Sequence, residues 1–166
     1  DSAIGGNDGV GVGTVEYTDI TGGHLNRALL RTSSNGYVKV TQNTNLEPLD
    51  ALTIDLWFNH DAGPSLASTI LNKQGDYKLS INSNNKLQAN FDTTQVESTA
   101  TLSGGNWYHV ILTWDSIKLK MYVYDTSNNL LSQNEADLTS VTYNNQNILI
   151  GEDFVGMIDE VKIYNY

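Results

Sequence analysis

The chain has 166 residues, 39% of them hydrophobic and 17% charged, with 19 acidic against 9 basic side chains and a formal net charge of −10. It has no cysteine, which excludes a disulfide framework, a thiolate metal cluster and a cysteine nucleophile. So few Lys and Arg argue against nucleic acid, whose counterions must be displaced by clustered cations; the acidic balance favours solubility and is compatible with divalent cations or neutral ligands such as glycans.

The length predicts one domain, residues 1–166, able to bury roughly two-thirds of its unfolded surface. No apolar run approaches the roughly 18 residues of a membrane span. Asp1-Ser2-Ala3 reads as a mature or trimmed start rather than a signal peptide, and no Asn-x-Ser/Thr acceptor occurs.

Period-two segments dominate the chain. The first clear one is residues 37–41 (YVKVT). In residues 52–58 (LTIDLWF), Leu52, Ile54, Leu56 and Phe58 fall on one face. Residues 107–114 (WYHVILTW) and 117–124 (IKLKMYVY) follow. In the latter, Ile117, Leu119, Met121 and Val123 share one face, and Lys118, Lys120, Tyr122 and Tyr124 the other. Residues 161–164 (VKIY) close the pattern. Such alternation predicts half-buried strands, one face in a core and one in water. The separators, SSNG at 33–36, SNN at 83–85, SGGN at 103–106 and SNN at 127–129, are turn-forming. The Asn-rich residues 143–147 read as a loop, and no stretch sustains a helical period. About a dozen short strands imply an all-β sandwich or barrel.

Residues 1–9 (DSAIGGNDG) are similar to the D-S-S-G-N-G-N-x-G opening of laminin-G-like domains in the concanavalin A-like lectin/glucanase superfamily. Residues 22–38 resemble the family's G-x-x-G-x-A-L-x-F-D-G-x-x-D-Y-V segment, and TIDLW at 53–57 its F-T-I-S-x-W strand. TILNKQGDY at 69–77, NWYHVILTW at 106–114 and GMIDEVKIYN at 156–165 match later family segments in the same order. The resemblance implies an antiparallel two-sheet jelly-roll sandwich that binds carbohydrate or serves as an adhesion module, with a structural calcium ion in many members. Two departures stand out. The Asp of the F-D-G pattern is Thr32, and the strand that precedes the opening Asp in the family has no counterpart before Asp1.

Calcium takes six to eight oxygens from carboxylates, amides and carbonyls. The resemblance brings the opening loop near the Ile158-Asp159-Glu160 segment, making Asp1, Asn7, Asp8 and Asp159 the candidate ligands. The alternative is that Asp159 accepts backbone hydrogen bonds in a turn; Thr32 and the missing strand count against the ion. Tyr122 and Tyr124, on the face opposite the apolar residues, are candidate glycan contacts, since exposed rings stack on sugars and the phenols add hydrogen bonds. The other reading makes them cover for an outer sheet surface. Trp57, Trp107 and Trp114 are expected in the core or at a sheet edge. His24, His60 and His109 lack metal-ligand spacing and are expected as hydrogen-bonded residues; His109 matches a structural position of the family.

Glycoside hydrolysis needs two carboxylates roughly 5–9.5 Å apart. The Glu-x-Asp-x-x-Glu strand motif of the superfamily's glucanases is absent, and Glu152-Asp153 and Asp159-Glu160 are adjacent residues that a strand sends to opposite faces. Nucleophile-elbow, phosphate-loop and His-Glu-x-x-His motifs are absent too. The sequence therefore predicts a non-catalytic, calcium-stabilised carbohydrate-binding or adhesion module of an extracellular or cell-surface protein. Its partner would be a glycan or polysaccharide. The alternatives are a surface or filament subunit that self-associates, accepting a neighbouring chain's strand at an open sheet edge, and a glycoside hydrolase whose site the sequence does not display.

Overall fold

A computed structural model describes residues 7–32, 35–61 and 68–165. Fourteen strands and one 3₁₀ turn account for the regular structure among these residues. The strands are β1 (Gly9–Gly13), β2 (Glu16–Tyr17), β3 (Leu29–Arg31), β4 (Gly36–Val40), β5 (Leu52–His60), β6 (Ser68–Lys73) and β7 (Tyr77–Ile81). They continue as β8 (Leu87–Phe91), β9 (Thr94–Glu97), β10 (Trp107–Trp114), β11 (Lys118–Tyr124), β12 (Leu130–Asp137), β13 (Ile148–Ile150) and β14 (Gly156–Asn165). The 3₁₀ turn, Thr44–Leu46, is capped by Asn43, whose side chain accepts from the Asn45 N–H.

The strands form two antiparallel seven-stranded sheets. The first has the order β1-β4-β13-β6-β7-β8-β9 and the second β12-β11-β10-β5-β14-β3-β2. This is the jelly-roll sandwich that the resemblance implies, and of the sandwich and barrel that the alternation allows it is the sandwich. Leu52, Ile54, Leu56 and Phe58 of β5, Val110 and Leu112 of β10, and Leu119, Met121 and Val123 of β11 are all buried. They meet Leu71, Leu79, Ala89, Phe91 and Ile148 of the first sheet in one core. Because side chains alternate, each buried residue fixes its neighbour on the outer face.

Two glycines are dictated by the backbone. Gly156 opens β14 at φ +137°, and a Cβ there would lie 2.1 Å from the Asn59 carbonyl oxygen. Gly75, at φ +86°, makes the turn that brings Asp76 back to Lys73. The open side of β14 is short of partners. β3 accompanies it only from Gly156 to Ile158, while β5 pairs with it along nearly its whole length around a bulge at Glu160 and Val161.

The first sheet carries a buried ion cluster. Lys73 is fully buried and its ammonium group is bound by Asp76, by Glu47 at 3.3 Å and by the Asn144 carbonyl at 2.7 Å. Asp76 also accepts from the Asn144 N–H at 3.0 Å. The phenols of Tyr77 and Tyr143 lie beside these carboxylates; burial, then the neighbouring negative charge, pushes both well above the ordinary tyrosine range. A cleft of about 370 Å³ opens next to the cluster, lined by Asn72, Gln74, Lys78, Asn90 and Asp92 among others.

Candidate functional site: the outer face of the second sheet

Strand pairing sets out this face in rows. One row runs Tyr124–His109–Trp57–Asp159 across β11, β10, β5 and β14. The next runs Gln133–Tyr122–Ile111–Asp55–Lys162, and a third begins Glu135–Lys120–Thr113–Thr53. Their intervening neighbours are in the core, so these side chains face away from the first sheet.

The first row is a stack of rings. Trp57 lies between His109, with centroids 4.6 Å apart and planes 5° from parallel, and His24, at 3.5 Å and 16°. The Trp57–His109 spacing matches that of neighbouring strands, as expected of rings standing upright on adjacent strands. Both faces of the indole are therefore taken up, and only its edge is presented outward. His109 is further fixed by Asp55, 2.9 Å from its Nε2, and Tyr124 tilts against its far side at 5.9 Å. Trp107 stands 5.9 Å from His24.

His24 arrives from a loop between β2 and β3 that folds over the sheet. Asp159 holds that loop. Its Oδ2 accepts from the Leu25 N–H at 2.9 Å, and its Oδ1 from the Glu160 N–H at 2.9 Å. The carboxylate is thereby covered although it faces outward. Thr18 and Arg27 tie the base of the same loop: the Ala28 N–H donates to the Thr18 hydroxyl and Arg27 Nε to the Thr18 carbonyl.

Tyr122 and Tyr124 lie where the alternation places them, half-buried on the outer face beside Lys118 and Lys120. Tyr122 has no ring partner among the described residues, so its π-face is not spent on another ring. Both lysines are committed to carboxylates. Lys118 meets Glu135 and Asp137, and Lys120 meets Asp115 at 3.1 Å. These contacts hold the lysines' pKa values above the usual lysine value.

The tryptophans divide. Trp114 is buried, with its indole N–H donating to the Leu138 carbonyl at 2.7 Å, as expected of a core residue. Trp57 and Trp107 are half-buried on the outer face, against the expectation of a core or edge position. His109 is hydrogen-bonded as expected. His24 stacks instead, and His60 is buried with Nε2 unpartnered, which depresses its pKa through lost solvation.

Of the candidate calcium ligands, Asn7, Asp8 and Asp159 lie in the described part of the chain. Asp1 lies outside the described residues. Asn7 and Asp8 lead into β1 at the edge of the first sheet, whereas Asp159 faces outward from the second. Asp159 spends both oxygens on backbone N–H groups. Asn7 Oδ1 is buried with no hydrogen-bond partner, and no cluster of three or more His, Asp or Glu suited to a metal occurs among the described residues. Glu160, the neighbour of Asp159, pairs with Lys162 at 2.9 Å.

Residues 32–166 match the family model of the concanavalin A-like lectin/glucanases superfamily. Among solved structures, the chain is similar to domain 4 of AbnA, an extracellular GH43 arabinanase of Geobacillus stearothermophilus, in complex with arabinotriose. That match has TM-score 0.67 and 18% identity, covering 95% of this chain and 82% of that one. It is also similar to the receptor-binding domain of botulinum neurotoxin mosaic serotype C/D, with TM-score 0.68 and 18% identity, covering 95% of this chain and 42% of that one. The binding domain of botulinum neurotoxin DC in complex with SialylT gives TM-score 0.65 and 15% identity, covering 96% and 43%. The chain thus spans most of the arabinanase domain but under half of the toxin domains, and these likenesses speak to fold. No curated protein matches the sequence. The family match extends over most of the chain and agrees with the two-sheet architecture: this protein belongs to the concanavalin A-like lectin/glucanases superfamily.

Proposed function

We propose that the chain is a non-catalytic carbohydrate-binding module of a secreted or surface protein, and that the glycan lies on the outer face of the second sheet with Tyr122 and Tyr124 as its platform. The observation that carries this reading is the row of rings crossing three adjacent strands on a face open to solvent. The His24–Trp57–His109 stack presents edges; the tyrosines supply ring surface and hydroxyls suited to a sugar. Gln133, Asp55 and the two phenols add donors and acceptors for hydroxyl recognition. The arabinotriose complex of the similar arabinanase domain supports a glycan ligand. No helix among the described residues is long and apolar enough to cross a membrane.

Calorimetric titration with a panel that includes arabinotriose and xylo-oligosaccharides tests the proposal. Wild-type protein should bind a member of the panel. Tyr122→Ala and Tyr124→Ala should each weaken binding about tenfold, at the scale of one lost ring contact, with the fold intact by circular dichroism. Undiminished binding in both variants would move the site elsewhere.

A calcium ion at the start of the chain, held by Asp1, Asn7 and Asp8, is a separate proposal, supported by the unpartnered Asn7 Oδ1. It requires a Tm raised by added calcium and returned by EDTA; an unmoved Tm would remove the ion from the account.

A further inference from the structure

We infer that the tyrosine face selects neutral glycans and rejects acidic ones, an inference that rests on the glycan-binding reading of that face. The chain has nine basic residues, and every one lies in the described part. Lys39, Lys73 and Lys78 belong to the first sheet, and Lys86, between β7 and β8, pairs with Glu97. Arg31 is buried and donates to the Gly151 and Thr14 carbonyls. Arg27 sits beside β3, four strands from β11, which at the spacing of neighbouring strands is roughly 19 Å from the tyrosines. Lys162, on β14, is engaged by Glu160.

Only Lys118 and Lys120 adjoin Tyr122, and they face the carboxylates of Asp115, Glu135 and Asp137. Asp55, in the same row as Tyr122, is taken up by His109 at 2.9 Å and stands next to Lys162. Two cations among three carboxylates leave no cation for a ligand's acid group. A uronate or sialate would shed water without gaining a charged partner, in a field of its own sign. A neutral sugar meets the opposite situation: the same carboxylates accept from its hydroxyls, forming charge-assisted hydrogen bonds.

The test compares neutral arabino- and xylo-oligosaccharides with sialyllactose and oligogalacturonate, by calorimetry at pH 8 and low salt. The neutral set should contain a ligand bound at least tenfold more tightly than either acid. Asp115→Asn keeps an oxygen for capping the Ile117 and Lys118 N–H groups while releasing Lys120 from its carboxylate; it should narrow the neutral-to-acidic ratio threefold or more. An acidic oligomer bound as tightly as the best neutral one, and lost in Tyr122→Ala, would overturn the selectivity while leaving the glycan face in place. Absence of binding to every sugar would overturn the face and the selectivity with it. An unchanged ratio in a folded Asp115→Asn protein would show that these carboxylates do not set it.

Discussion

Asp76→Ala is expected to destabilise the protein by about 3–5 kcal/mol, the usual cost of stranding one member of a buried ion pair. For a chain of this size that lowers Tm by roughly 6–20 °C. Lys73 and Asp76 side chains are both fully buried. Without Asp76, the ammonium group keeps only the partly exposed Glu47 and the Asn144 carbonyl. The Asn144 N–H loses its acceptor as well. The cluster joins the β6–β7 turn, the segment before β5 and the loop before β13, so the damage extends to three parts of the chain. Removing both charges in a Lys73→Met/Asp76→Leu protein should recover part of the loss, because a hydrophobic pair of similar bulk leaves no stranded charge. Thermal denaturation of the single and double variants decides the matter. A single variant within 1 kcal/mol of wild type, or a double variant worse than the single, would show that the cluster is not an interdependent ion pair.

Asp159→Ala should release the loop that carries His24. Two N–H groups, those of Leu25 and Glu160, would lose their acceptor. A fully buried donor left unsatisfied costs about 1–3 kcal/mol; both of these bonds are part-buried, so a total of roughly 1–3 kcal/mol is expected, together with fast hydrogen exchange at Leu25. Glycan affinity should fall several-fold although no tyrosine is touched: His24 flanks Trp57, Trp57 flanks His109, and His109 abuts Tyr124. Asp159→Asn, which retains one carbonyl oxygen, should fall between the two. If Asp159 acted instead through calcium, the stability difference between wild type and variant would vanish in EDTA. The backbone-anchor role requires the difference to persist. Retained protection at Leu25 in Asp159→Ala would contradict it.

The sandwich was readable because each long strand advertises its two faces. Leu52, Ile54, Leu56 and Phe58 specify the inner face of β5, and β10 and β11 repeat the pattern. The same alternation held the answer for Trp57, which lies between Leu56 and Phe58 and must point the other way. The expectation of a core or sheet-edge position for Trp57 passes over that signal. For the converse reason Tyr122 and Tyr124 follow from the sequence as outer-face residues, since buried Met121 and Val123 define the opposite face. What alternation cannot supply is contact between loops and distant strands. His24 sits in a Gly-Gly-His-Leu stretch without periodicity, and Asp159 meets Leu25 across 134 positions of sequence. Lys73 and Asp76 stood within a family-like segment, but their burial depends on Glu47 and Asn144, which only the packing of the first sheet brings together.

Backbone amide shifts recorded during titration with the best-bound neutral oligosaccharide test the glycan face most directly. The account predicts that the largest changes fall on β10, β11 and β12 and on the His24 loop. Changes confined to the cleft around Gln74, Lys78, Asn90 and Asp92 on the first sheet would contradict it.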